Sequence, residues 1–194
     1  MVIVLELVSF KNVAVDIVAK VILLLYVLVR RIVYFLTRTD VGVSKEEYKY
    51  MDMAYQEAEK GLHTGNYPVG AVVVADDKVI AKAYSTSKSE HDERNHAECL
   101  AISEALEVLH IKNNFSECNK KVTIYTSSEP CPMCRGLMVY RGIDEVKYGE
   151  IHCHLGKIFG YKKNSLHLLL HTRGGIHAEK HYKIIEKYKQ NKKG

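Results

Sequence analysis

The sequence lacks any tract rich in proline, glycine or serine, and only three prolines occur in its 194 residues. Disordered linkers are therefore not expected. No repeat period recurs either, which excludes a solenoid. Its longest apolar run, Val21 to Val29, falls short of the roughly 20 residues that a spanning helix needs, and extending it backwards takes in Lys20 and Asp16. No small-residue cleavage site follows that run, so a removable signal peptide is not expected. The five cysteines are an odd number and cannot all pair within the chain. They suit a reducing cytoplasm better than a secreted disulfide framework. Acidic residues are scarce at one end: residues 151–194 hold ten Lys or Arg against Glu179 and Glu186.

Against these absences stand two short strings, His96-Ala97-Glu98 and Pro130-Cys131-Pro132-Met133-Cys134. One imidazole and two thiolates give three ligands, the number with which proteins hold a catalytic zinc while leaving its fourth position open. Cys131 and Cys134 are three residues apart and point the same way one helical turn apart. Pro130 and Pro132 suit the start of a helix and nowhere deeper in one. A helix N-terminus also lowers a cysteine pKa, which favours the thiolate that metals bind. Glu98 lies too near His96 to be a comfortable fourth ligand, yet it can reach a water on the same metal, which makes it the expected proton shuttle. A purely structural zinc knuckle would want a fourth protein ligand, and neither string supplies one. A redox Cys-x-x-Cys would have no use for the His-x-Glu string.

The pairing of H-x-E with a downstream P-C-x-x-C resembles the zinc-dependent cytidine and nucleobase deaminases. The likeness extends from Pro68-Val69-Gly70-Ala71-Val72-Val73-Val74 through Ser127-Ser128-Glu129 to about Glu150, roughly half the chain. It implies a zinc cofactor on His96, Cys131 and Cys134, with Glu98 as the catalytic residue. It also implies a three-layer α/β/α cytidine-deaminase-like fold, a mixed central sheet of about five strands with helices on both faces. Substrate contacts are expected at Ser85, Ala97 and Pro130, with the backbone amides of Ala97 and Cys131 steadying charge at the reacting carbon. One departure concerns the base: Ser85 stands eleven residues before His96, where the branch acting on purines and tRNA adenosine carries asparagine.

Local signals agree with that architecture. Ser44-Lys45-Glu46-Glu47 is a capping box before a helix to about Leu62. Val69–Ala75 and Lys78–Tyr84 form a hairpin across Asp76-Asp77. Residues His96 to about Leu109 are helical, Lys121–Thr126 a strand, Cys131 to about Tyr140 helical, and Glu145–Gly149 a further strand. The deaminase domain is expected over residues 44–194, with residues 1–43 a separate N-terminal segment. There Ser9, Asn12, Asp16, Lys20, Arg30, Arg31, Tyr34, Thr37 and Arg38 fall on one stripe of a long amphipathic helix, Lys11 excepted. Three accounts of this helix stand in order: it lies on a membrane surface, spans the membrane, or packs on another subunit. The expectation is thus a cytoplasmic protein with a membrane-associating N-terminus.

The basic tail offers phosphate contacts for RNA, although a lysine-rich terminal helix is more often a solvated face. His177-Ala178-Glu179 repeats the first string but precedes no cysteine pair, and is assigned to an ordinary helix. His152-Cys153-His154 alternates in a way that would put Cys153 opposite the two histidines on a strand. The substrate expected is a small nucleobase or nucleoside of the guanine or cytosine type, with tRNA adenosine as the alternative. Two further readings are a non-catalytic zinc-binding module and an effector acting on nucleic acid at a membrane. Family likeness also suggests a homo-oligomer.

Overall fold

The computed structural model describes residues 42–150 and 170–192, together with the single position Leu25. Helix α1 (Lys45–His63) begins where the capping box requires: the Ser44 hydroxyl accepts from the Glu47 amide at 3.1 Å, and the Glu47 carboxylate accepts from the Ser44 amide at 2.6 Å. Its apolar residues Met51, Ala54, Tyr55, Ala58 and Leu62 are buried along one side. Strands β1 (Gly70–Ala75) and β2 (Lys78–Tyr84) follow, joined through Asp76 and Asp77. Both aspartates have positive φ, 44° and 61°, the backbone that matches a two-residue turn to the twist of its strands.

Helix α2 (Ala97–Val108), a 3-10 turn (Phe115–Cys118), β3 (Val122–Ser128), α3 (Pro132–Tyr140) and β4 (Glu145–Glu150) come next. A short β5 (His171–Arg173) and the terminal helix α4 (Ala178–Asn191) complete the described elements. The sheet order is β2-β1-β3-β4-β5. Its first pairs are antiparallel, whereas β3 with β4 and β4 with β5 are parallel, so the sheet is mixed.

Every residue of β1 is buried, which alternation on a central strand explains. Ala71, Val73 and Ala75 face Ile102, Leu106, Phe115 and Met138 on the α2–α3 side. Val72 and Val74 share the other layer with Met51, Tyr55, Ile176 and Ile184 on the α1–α4 side. Helices therefore cover both faces, as expected. Gly70 is where α1 crosses the sheet most closely: a Cβ there would lie 2.1 Å from the Ala54 carbonyl oxygen and 2.4 Å from the Ala58 nitrogen.

The expected elements are found, with their ends shifted by one or two residues. Sequence reading omitted β5 and the 3-10 turn. His177 caps α4 from a left-handed backbone (φ 52°) and donates from Nδ1 to Asp52 at 2.9 Å, so the second His-Ala-Glu string belongs to an ordinary helix start, as expected. The proposed amphipathic helix of residues 1–40 and the His152-Cys153-His154 string lie outside the described residues. Among the described residues, no helix is long and apolar enough to cross a membrane.

Candidate metal centre

Two helices start at the same place. His96 is the N-cap of α2 and Cys131 the N-cap of α3, both with extended backbone (φ −72°, ψ 150° and φ −69°, ψ 167°). Pro132 at the first position of α3 presets the helical φ and has no amide hydrogen to leave unbonded. Neither N-cap side chain accepts a backbone amide of its own helix. Instead His96 Nδ1 lies 3.6 Å from Cys131 Sγ and 3.5 Å from Cys134 Sγ, and the two sulfurs are 3.6 Å apart. With Zn–S near 2.3 Å and Zn–N near 2.0–2.1 Å, a tetrahedral ion needs edges of about 3.8 Å between sulfurs and about 3.6 Å from sulfur to nitrogen. The three donor atoms fit a zinc ion without rearrangement. They are also the one group of this kind among the described residues.

The electrostatics are arranged for metal capture. Hydrogen bonding from Cys134, with His96 adding to it, holds the Cys131 thiol down to about 3. The same contact with Cys131 pushes His96 up to about 9. Cys134 is driven the other way, up, by its bonds to Cys131 and Cys99 and by burial. Without metal the site is thus a thiolate–imidazolium pair beside a neutral thiol. Both helix N-termini add positive potential there.

Glu98, at the second position of α2, is 3% exposed, and burial raises its carboxyl pKa. A carboxyl in that condition holds a proton more readily than one in water, the property a proton carrier needs. Ala97 is fully buried at the start of α2, and Pro130 is buried just before Cys131. Ser85 is 3% exposed, and its hydroxyl is engaged within the loop: it lies 3.1 Å from the Ser87 hydroxyl and donates to the Asn95 carbonyl at 3.3 Å. The serine is thereby bonded to the residue before His96. The metal ligands and Glu98 are brought together on two helix starts, whereas Ser85 braces the approach to one of them.

Two contacts escaped the sequence reading. Cys99 Sγ lies 3.8 Å from Cys134 Sγ. It occupies on α2 the third position that Cys134 occupies on α3, and the spacing His96-x-x-Cys99 was the available signal. Arg135, which a sequence presents as a surface charge, is 3% exposed. Its guanidinium donates to the Pro130 carbonyl at 3.0 Å and to Glu129 at 2.9 Å.

Three donors with a buried carboxyl beside them, on a sheet covered by helices on both faces, make an open metal site rather than a closed four-ligand structural one. Residues 44–150, just over half the chain, match the family described as the cytidine and deoxycytidylate deaminase zinc-binding region, and the chain belongs to that family. A tRNA-specific adenosine deaminase of Bacillus subtilis is 36% identical over 100 residues, which cover 52% of this chain and 59% of that protein. A chloroplastic tRNA(adenine(34)) deaminase of Arabidopsis thaliana is 35% identical over 107 residues, 55% of this chain but 8% of that protein. The chain therefore spans less than two thirds of either relative. Among solved structures, a guanine deaminase from Nitrosomonas europaea superposes with a TM-score of 0.66 at 19% identity, over 76% of this chain and 85% of that one. That likeness concerns the fold.

Proposed function

We propose that the protein is a zinc-dependent hydrolytic deaminase that replaces the exocyclic amine of a nucleobase by a carbonyl oxygen and releases ammonia. The observation that carries this reading is the convergence of His96, Cys131 and Cys134 at tetrahedral spacing, with the buried Glu98 two residues from one of them. When bound, zinc supplies a Lewis acid that lowers the pKa of water toward about 7. Glu98 takes one proton of the attacking water and passes it to the ring nitrogen beside the amine-bearing carbon, then takes the proton of the new hydroxyl as the carbonyl forms and delivers it to the amine as it leaves. Water and an aromatic amidine thus become a keto base and ammonia. The amides of Ala97 and Cys131, at the starts of α2 and α3, would steady charge at the tetrahedral carbon.

For the substrate, the relatives at 35–36% identity favour adenosine within RNA, giving inosine. The end of the chain is consistent with this, because Lys183 and Lys189 on α4 and Lys192 just after it are exposed to solvent, where phosphates could meet them. A free base of the guanine or cytosine type is the second reading, and within it Ser85, which stands where the purine-acting branch carries asparagine, favours cytosine. Residues 1–43 are proposed to hold the enzyme at a membrane surface or against a second subunit, within the cytoplasm. The deciding experiment offers the zinc-loaded protein bulk tRNA, adenosine, guanine and cytosine, and measures inosine in RNA together with ammonia. Inosine in tRNA alone supports the first reading; ammonia from a free base alone makes the second correct.

A further inference from the structure

Both cysteine ligands lie inside a seven-residue segment whose ends are tied to each other. Glu129 precedes Cys131 by two residues and Arg135 follows Cys134 by one, and their side chains meet at 2.9 Å. The arginine side chain is 4% exposed and that of Glu129 19%, so the pair is largely withdrawn from water. Arg135 also donates from Nε to the carbonyl of Pro130, the residue before Cys131, at 3.0 Å. Its guanidinium carbon lies 5.9 Å from the ring centre of Tyr148 on β4, which anchors the clasp to the sheet. A planar fork that serves a carboxylate and a carbonyl at once is something a lysine head cannot reproduce.

We propose that Arg135 and Glu129 are positioning residues for the metal: their clasp holds the Glu129–Cys131 approach in the conformation that puts Cys131 Sγ opposite Cys134 and His96. Outer-shell partners of this kind typically carry 10- to 100-fold of metal affinity. The clasp acts through the backbone of residues 130 and 131. Its consequence is a preorganised metal-free site, which binds zinc tightly and releases it slowly. This inference is independent of which base is turned over.

The test measures zinc affinity by chelator competition and zinc release by a colorimetric chelator, on the full chain, for Arg135→Ala, Arg135→Lys and Glu129→Gln. Far-UV circular dichroism and thermal melting with excess chelator report the metal-free fold separately. The expected result is a retained metal-free fold with at least tenfold weaker zinc binding and faster release in Arg135→Ala. Arg135→Lys and Glu129→Gln should lie between it and the parent. Wild-type affinity and release in a folded Arg135→Ala would overturn the proposal. Loss of the metal-free fold in all three variants would overturn it as well, because the pair would then serve the core rather than the metal loop.

Discussion

Titrating the metal-free protein with zinc should release about two protons per ion at pH 5 to 6, below the range in which a zinc-bound water ionises. The number follows from the three ligands. Cys131, held near 3, is already a thiolate at pH 5 and gives up nothing. His96, raised to about 9, is an imidazolium across nearly the whole range and must lose one proton to bind through Nδ1. Cys134, pushed upward by Cys131 and Cys99, is a thiol throughout and loses the other. With ordinary values, a histidine and two cysteines would release about three protons at pH 5 and somewhat fewer at pH 6. Calorimetric titration in buffers of different ionisation enthalpy counts the protons directly. A release that starts at three and falls with pH would refute the thiolate–imidazolium description of the site.

Other consequences are separately measurable. Gly70→Ala drives a methyl into the backbone of α1 at Ala54 and Ala58 and should cost about 1–3 kcal/mol in denaturant unfolding, with parent stability contradicting the α1–β1 packing. Cys131→Ala removes one of three ligands and should abolish stoichiometric zinc by atomic absorption together with turnover; full zinc content would mean that the ion sits elsewhere. A chain begun at Gly42 should fold and load zinc, since residues 42–194 form one compact unit, and an insoluble or zinc-free product would tie the first 41 residues to the domain's stability.

Much of the site was legible because its determinants are local. His96-Ala97-Glu98 and Cys131-x-x-Cys134 each fit within one helical turn, and the prolines around Cys131 mark where that turn begins. The capping box at Ser44 and the aspartate turn at 76–77 likewise declare themselves within four residues. What remained hidden depends on distant partners. β5 has three residues and exists by pairing in parallel with β4, which no periodicity over His171–Arg173 could announce. Arg135 is buried only because the fold wraps Glu129, the Pro130 carbonyl and the Tyr148 ring around it. Cys99 meets Cys134 because α2 and α3 start side by side, a fact of tertiary packing. Ser85 is expected to contact substrate, and what its position in the sequence did not reveal is that its hydroxyl also meets Ser87 and the Asn95 carbonyl.

The central claim is that Glu98 moves the proton and is not needed to hold the metal. The most direct test compares Glu98→Ala with the parent chain for bound zinc and for product, inosine in tRNA or ammonia from a base, in the same preparations. The account predicts one zinc per chain in both proteins and at least a ~100-fold loss of turnover in the variant. Undiminished turnover in a zinc-loaded Glu98→Ala, or loss of zinc along with the carboxyl, would contradict it.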